Sequence, residues 1–193
     1  CYDKYTLLTY CQDTGVTPKF GLLTQNTDYA EYPFPCFVKP RCASGSTGAM
    51  TIKHISELDS LPKDGSYLIQ ELLPGREYSV DIYIHSSGHP VAAVPRLRMK
   101  VDSGIAVAAQ THIDPQLASM AIQVAQKVGI IYVANVQFKA NAQGVYKLLE
   151  INPRFPGTLP LTAAAGVDIP RLLLDDIQGK SFTNTDLLPF KEL

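Results

Sequence analysis

The chain has 193 residues and a mass of 21.1 kDa, with 46% hydrophobic and 18% charged residues, enough to bury a core of its own. Seventeen Lys and Arg against eighteen Asp and Glu leave a net charge of -1, which excludes the basic excess that general binding to a nucleic-acid backbone requires. No apolar run reaches the ~18 residues of a membrane span, and the N-terminus lacks the basic and apolar regions of a leader, so a cytoplasmic location is expected. Cys1, Cys11, Cys36 and Cys42 all fall in the first quarter without metal-ligand spacing and read as reduced residues.

The first element is a helix opening at Asp3-Lys4-Tyr5, with Tyr5, Leu8 and Cys11 or Gln12 at helical spacing and Gly15 as its end. Residues 16–23 read as extended. Three prolines bracket Cys36-Phe37-Val38-Lys39, a run too short for a helix and suited to a buried strand. A small polar loop, 41–48, separates it from the strand-like Met50-Thr51-Ile52. Residues 67–73 end at Pro74-Gly75, and 77–84 alternate at period two, as a half-buried strand does. The turn 86–90 then leads into Val91-Ala92-Ala93-Val94, a hairpin. Asp114-Pro115 starts a helix whose apolar face is Leu117, Ala121, Val124, Ala125 and Val128. Strands over 132–139 and 145–151 flank the turn 141–144, and Asp168-Ile169-Pro170 opens a last helix over 171–177. Hairpins mixed with helices predict an α+β fold with largely antiparallel sheets.

Three places carry residues suited to chemistry. In the strand ending Leu149-Glu150-Ile151-Asn152-Pro153-Arg154, Glu150 and Asn152 point to one side. A carboxylate and an amide oxygen there form a hard-oxygen site suited to Mg²⁺, which completes its shell with water and phosphate oxygens. Arg154 lies just beyond, able to grip the same phosphates bidentately, and Gln137 lies on the neighbouring strand. The alternative is the polar face of an edge strand. Lys39 directly precedes the Gly/Ser/Thr loop, whose amides could close over phosphates while the ammonium neutralises them, although the spacing is not that of a P-loop. The segment 70–73 entering a Pro-Gly turn could present its backbone to a flat base edge, with Glu77 accepting from ribose hydroxyls; the alternative for Glu77 is an ordinary surface glutamate.

Taken together, Asp3-Lys4, Phe37-Val38-Lys39-Pro40 with its glycine loop, the stretch from Ile69 through Gly75-Arg76-Glu77 to Asp81, and Asn135-Val136-Gln137-Phe138 through Glu150-Ile151-Asn152-Pro153-Arg154 resemble the ATP-grasp superfamily. The resemblance is nearest to the carbamoyl-phosphate synthase large subunit and related carboxylate-amine ligases. It covers nearly the whole chain, and its specificity lies in the order and spacing of the pieces. It implies two α+β subdomains, 1–74 and 75–193, enclosing ATP. Lys4 and Lys39 are then expected on the ATP phosphates, with Ser44, Gly45, Ser46 and Gly48 as the phosphate loop. Gln70, Glu71 and Leu73 are expected to form the adenine hinge, and Glu77 to hold the ribose. Gln137, Glu150 and Asn152 are expected on Mg²⁺ or Mn²⁺, and Arg154 with Lys39 on the transferred phosphoryl group. Many family members have a carboxylate at the positions of Gln70 and Gln137; glutamine at the second favours the carbamoyl-phosphate branch.

The acceptor side is expected at Arg96 and Arg98, on one face of an extended segment, with Thr111 a short way on; the alternative is two solvated arginines. Phe155-Pro156-Gly157-Thr158 departs from the carbamoyl-phosphate pattern and favours an organic acid. The resemblance thus implies an ATP-dependent ligase that activates a carboxylate, or a carbamate, as an acyl phosphate for capture by an amine or ammonia. The competing expectation is a non-catalytic ATP-binding module. Family members carry a preceding α/β domain, so a missing N-terminal domain of the same polypeptide is expected, and a homo-oligomer is allowed.

Overall fold

The computed structural model describes residues 2–43, 47–102, 104–180 and 186–193, and the chain divides by its contacts into two compact units. The first comprises 1–75 together with 139–148; the second comprises 76–138 and 149–193.

In the first unit, helix α1 (Lys4–Tyr10) is capped by Asp3, whose carboxylate accepts the Thr6 amide at 3.1 Å. A 3₁₀ turn over Gln12–Thr14 follows, and Gly15 ends it in the left-handed conformation that lacks a penalty only for glycine. The helix is therefore shorter than its sequence pattern predicts. A four-stranded antiparallel sheet has the order β1-β4-β2-β3, formed by β1 (Phe20–Thr24), β2 (Cys36–Pro40), β3 (Met50–Ile52) and β4 (Asp64–Glu71). Register assigns its faces, because residues directly opposite in a ladder project to the same side. Cys36, Val38, Ile52 and Ile69 point one way into a core with Leu23, Tyr32 and Leu58. Phe37, Lys39, Leu68 and Gln70 point the other way.

A second, five-stranded sheet runs β7-β6-β5-β8-β9. Its members are β5 (Glu77–Ile84), β6 (Pro90–Asp102), β7 (Ile105–Thr111), β8 (Tyr132–Ala140) and β9 (Tyr146–Asn152). Every residue of β5 after Glu77 is buried, so this strand is covered on both faces. Helix α2 (Pro115–Lys127), capped by Asp114 with proline in the first turn, packs on β5 and β6. Helices α3 (Leu159–Ala164) and α4 (Ile169–Ile177) belong to a second cluster, where Tyr83, Ala92, Val94 and Val133 meet Ile169 and Leu172. The expected α+β class with antiparallel sheets is observed. Strand β7 and helix α3 escape the sequence pattern: Ala106-Val107-Ala108-Ala109 has weak strand preference, and a six-residue helix gives too little periodicity to detect.

Candidate active site

Lys39 and Gln70 illustrate how the first sheet displays its polar groups. Lys39 sits opposite Leu68 and Gln70 opposite Phe37, so both side chains emerge on the face turned away from the apolar core. They are nonetheless buried, at 7% and 1% exposure. The Gln70 Oε1 has no hydrogen-bond partner, and an orphaned buried acceptor costs roughly 1 to 3 kcal/mol unless a ligand or water donates to it. Lys4, also buried, donates from Nζ to the Ala43 carbonyl in the segment before the loop, and its own amide bonds Arg41 O at 3.0 Å. Ser44, Gly45 and Ser46 lie outside the described residues. Gly48 is left-handed, φ 72°, and an added Cβ would come within 2.9 Å of the Pro40 ring.

Around the hinge, Glu71 receives the Lys19 amide on Oε1 at 2.8 Å, and its own amide donates to Lys19 O at 3.0 Å. Side chain and amide of Glu71 are therefore both fasteners between β4 and the approach to β1, rather than groups left open to a base edge. Leu73 is buried at 4% exposure.

The second unit contains a continuous polar network on one face of its sheet. Ser79 pairs with Arg96 and Arg96 with Thr111 across neighbouring strands, which aligns Glu77, Asp81, Arg96, Arg98 and Thr111 on that face. Arg98 donates through Nη1 to Glu77 Oε1 and to Gln137 Oε1, the latter at 2.9 Å, and through Nη2 to Gly104 O at 2.7 Å. Gln137 Nε2 in turn reaches Asn135 Oδ1 at 3.3 Å, and Asn135 Nδ2 donates to Asp81 Oδ1 at 2.7 Å. Asp81, with no solvent exposure, also accepts from Thr162 Oγ1 at 2.5 Å and is paired with the equally buried Arg96. Arg96 then donates to both the backbone oxygen and the hydroxyl of Thr158.

These contacts place the three residues expected on the acceptor side. Arg96 is fully enclosed, with Nη1 committed to Thr158 and Nη2 to Asp81 while Nε has no partner, so its guanidinium is a brace rather than an open carboxylate clamp. Thr111, at 1% exposure, donates to Lys191 O at 2.9 Å and accepts the Leu193 amide at 2.6 Å, so it fastens residues 191–193 instead of facing a substrate. Of the three, Arg98 alone stays beside expected ligand-binding residues, Glu77 and Gln137. Asp81, Asn135 and Thr162, the core of this network, had no role assigned from sequence. The one available signal was the strand alternation that aligns Asp81 with Glu77.

Glu150 and Asn152 do share a face of β9, and Asn152 Nδ2 donates to Glu150 Oε1 at 2.8 Å. This bond orients the amide so that Asn152 Oδ1 and the second Glu150 oxygen remain as hard donors. Gln137 is tied to the Arg98 guanidinium, a cation that opposes a metal at the same oxygen. Arg154 is exposed and donates to Phe155 O at 3.1 Å, while its amide bonds Asn152 O at 2.8 Å. Among the described residues no three His, Cys, Asp or Glu side chains gather as a metal cluster. One carboxylate with amide oxygens fits a hard ion that keeps much of its water and phosphate shell, as Mg²⁺ does, and does not fit structural zinc.

A family profile described as "ATP-grasp in the biosynthetic pathway with Ter operon" matches residues 63–192. The chain is 30% identical over 105 residues to a D-alanine--D-alanine ligase of Thermotoga petrophila, covering 52% of this chain and 35% of the ligase. It is 26% identical over 149 residues to a 3-methyl-D-ornithine--L-lysine ligase of Methanosarcina mazei, covering 75% and 39%. Biotin carboxylase from Campylobacter jejuni, described as a beta-gamma-ATP complex, superposes with a TM-score of 0.80 at 16% identity, over 98% of this chain and 48% of that one. The N5-carboxyaminoimidazole ribonucleotide synthetase of Thermotoga maritima gives 0.70 at 20% identity, over 96% and 51%. The chain thus spans from about a third to a half of the length of these proteins. Among the described residues no helix is long and apolar enough to cross a membrane.

Proposed function

Because the chain belongs to the ATP-grasp family, we propose that it binds ATP with Mg²⁺ (or Mn²⁺) and serves an ATP-dependent carboxylate-amine ligase. A substrate carboxylate oxygen attacks the γ-phosphorus and ADP departs; an amine then attacks the acyl carbon of the resulting acyl phosphate and phosphate leaves. In the first unit, Lys4 and Lys39 serve the phosphates and the backbone of 70–73, with the unpartnered Gln70 Oε1, serves the base. In the second, Glu77 serves the ribose, Glu150 and Asn152 hold the metal, and Arg154 serves the transferred group. When bound, Mg²⁺ neutralises charge on the phosphates; the side chains position the reactants and stabilise the charge that develops. A cytoplasmic location, where ATP is abundant, fits this reading.

The observation that carries the proposal is the hydrogen-bonded Glu150-Asn152 pair, two hard donors on one strand face within the matched segment. The finer choice of acceptor is between a carbamate, as Gln137 suggests by its resemblance to carbamoyl-phosphate synthase, and an organic acid. The amino-acid ligases among the relatives favour the organic acid. One observation favours a second reading, a non-catalytic nucleotide-binding module: Gln137 is an amide and already engages Arg98. Calorimetric titration with Mg-ATP tests binding, and Lys39→Ala is expected to weaken it roughly ten- to hundredfold, corresponding to the ~1.5 to 3 kcal/mol of a charge-assisted hydrogen bond. Unchanged affinity would remove Lys39 from the phosphates. Positional isotope exchange in ATP with candidate acids separates the readings: exchange that collapses in Glu150→Gln supports the ligase, and exchange absent under every acid tried supports the module.

A further inference from the structure

The turn joining β5 to β6 and the end of α4 hold a second cluster of reactive groups that the nucleotide chemistry does not use. Asp176 is 8% exposed and gathers four donors: Tyr83 Oη at 2.8 Å, the Ser86 amide at 2.9 Å, Ser86 Oγ at 2.8 Å and His85 Nε2 at 3.1 Å. Burial disfavours its charge, but the Ser86 and Tyr83 donors and the neighbouring His85 outweigh that, so its carboxyl ionises below the ordinary range. The other imidazole nitrogen, His85 Nδ1, lies 2.8 Å from Ser87 Oγ and accepts the Ser87 amide at 3.1 Å. An amide N–H can only donate, so Nδ1 carries the lone pair and Nε2 the proton directed at Asp176.

Accessibility rises along the same line, from the buried carboxylate through a half-buried imidazole, 21% exposed, to an exposed serine. The three line an open cavity of about 260 Å³ together with Ser86, His89 and Lys180. We propose that Ser87, His85 and Asp176 form a nucleophilic relay in which Ser87 is an acyl acceptor for small activated esters. Serine, base and orienting carboxylate are linked in the order that nucleophilic catalysis requires, a matter of roles rather than of sequence position.

The chemistry follows from the contacts. Ser87 Oγ attacks the acyl carbon as its proton passes to His85 Nδ1, and the imidazolium is stabilised by Asp176. The bond from the acyl carbon to the leaving oxygen breaks, the phenolate departs, and the imidazolium releases its proton to solvent. Water then attacks the acyl-serine with His85 again taking the proton, which returns to Ser87 Oγ. The substrate class is narrow for two reasons. The Ser86, Ser87 and Gly88 amides are each engaged, with Asp176, His85 Nδ1 and His85 O respectively, so none of these three is to spare for an oxyanion. A good leaving group must compensate. The cavity, smaller than the ~300 Å³ and upward typical of drug-sized ligands, suits a short acyl chain.

The 193-residue chain is incubated with p-nitrophenyl acetate, following phenolate release and locating the acetyl group by fragmentation mass spectrometry. Acetylation is expected at Ser87 and not at Ser86, also an exposed residue but one whose hydroxyl donates to Asp176 and lacks the imidazole; equal labelling of the two, or none at Ser87, overturns the proposal. Ser87→Ala, in an exposed turn position, is expected to abolish the labelled product while leaving Mg-ATP affinity unchanged. His85→Gln is expected to slow labelling roughly 10²-fold, the lower end of what a general base contributes. A labelling rate at Ser87 that survives His85→Gln also overturns it.

Discussion

Asp3 shows how much a single carboxylate settles at the start of this chain. It caps α1 through the Thr6 amide and grips Arg41 through Nε at 2.8 Å and Nη2 at 2.6 Å. The Arg41 hydrogen bond is the largest influence on its ionisation and, against the opposing effect of burial, holds the Asp3 carboxyl well below the usual carboxylate range. A depressed folded value stabilises the protein fully above the unfolded value, near pH 4, and that contribution disappears as pH falls toward the folded value. Asp3→Ala is therefore expected to lower stability at pH 7 by ~1 kcal/mol or more for the lost cap, with the gap to wild type narrowing below about pH 4. Urea titrations at pH 7 and pH 3 check this, and a gap equal at both would leave the cap without a charge component. The Asp3-Lys4 start was legible in sequence because capping is local. Asp81 was not: its partners Arg96, Asn135 and Thr162 lie 15, 54 and 81 residues away, and only strand register brings them together.

At the scale of elements, the β8-β9 hairpin was legible from its two alternating runs and the turn at 141–144, yet nothing in its composition showed that its tip joins the first unit. The reason is steric and local to Gly75. Its amide donates to Ala140 O at 3.0 Å, and a Cβ built there would lie 2.6 Å from the Ala140 Cβ and 2.7 Å from its oxygen. Leu148 N, bonding Val16 O at 2.8 Å, fastens the other side of the hairpin. Backbone cannot yield as a flexible side chain would, so Gly75→Ala is expected to cost ~1 to 3 kcal/mol, the range for forced overpacking, and to loosen the amides of 139–148. Hydrogen exchange resolved by residue is the measurement; wild-type protection at Ala140 and Leu148 in a folded Gly75→Ala protein would show that the hairpin tip is held by other contacts. Helices α2 and α4 behaved as their sequences predict because Asp114-Pro115 and Asp168 with Pro170 carry both the cap and the first-turn proline.

At the scale of the whole molecule, each unit carries its own set of residues proposed for the nucleotide. Lys4, Lys39 and Gln70 belong to the first, and Glu77, Glu150 and Asn152 to the second. A ligand that binds the native chain and not the unfolded one stabilises whatever it engages by mass action, ~2.7 kcal/mol at a hundredfold excess over its dissociation constant. Mg-ATP serving both sets should therefore slow exchange at the amides of β2 and β4 and, in the same titration, at those of β9. A nucleotide held by the first unit alone would protect only β2 and β4. Removing the metal discriminates further: ATP with a chelator should retain part of the protection near Lys39, proposed to contact phosphate directly, and lose it around Glu150 and Asn152, whose hydrogen-bonded oxygens are proposed to act through the ion. Protection of β9 that persists without divalent metal would remove the Glu150-Asn152 pair from the metal site. Protection confined to the first unit at saturating Mg-ATP would leave the polar network of the second, from Glu77 through Asp81 to Thr158, as a scaffold with no part in holding the nucleotide.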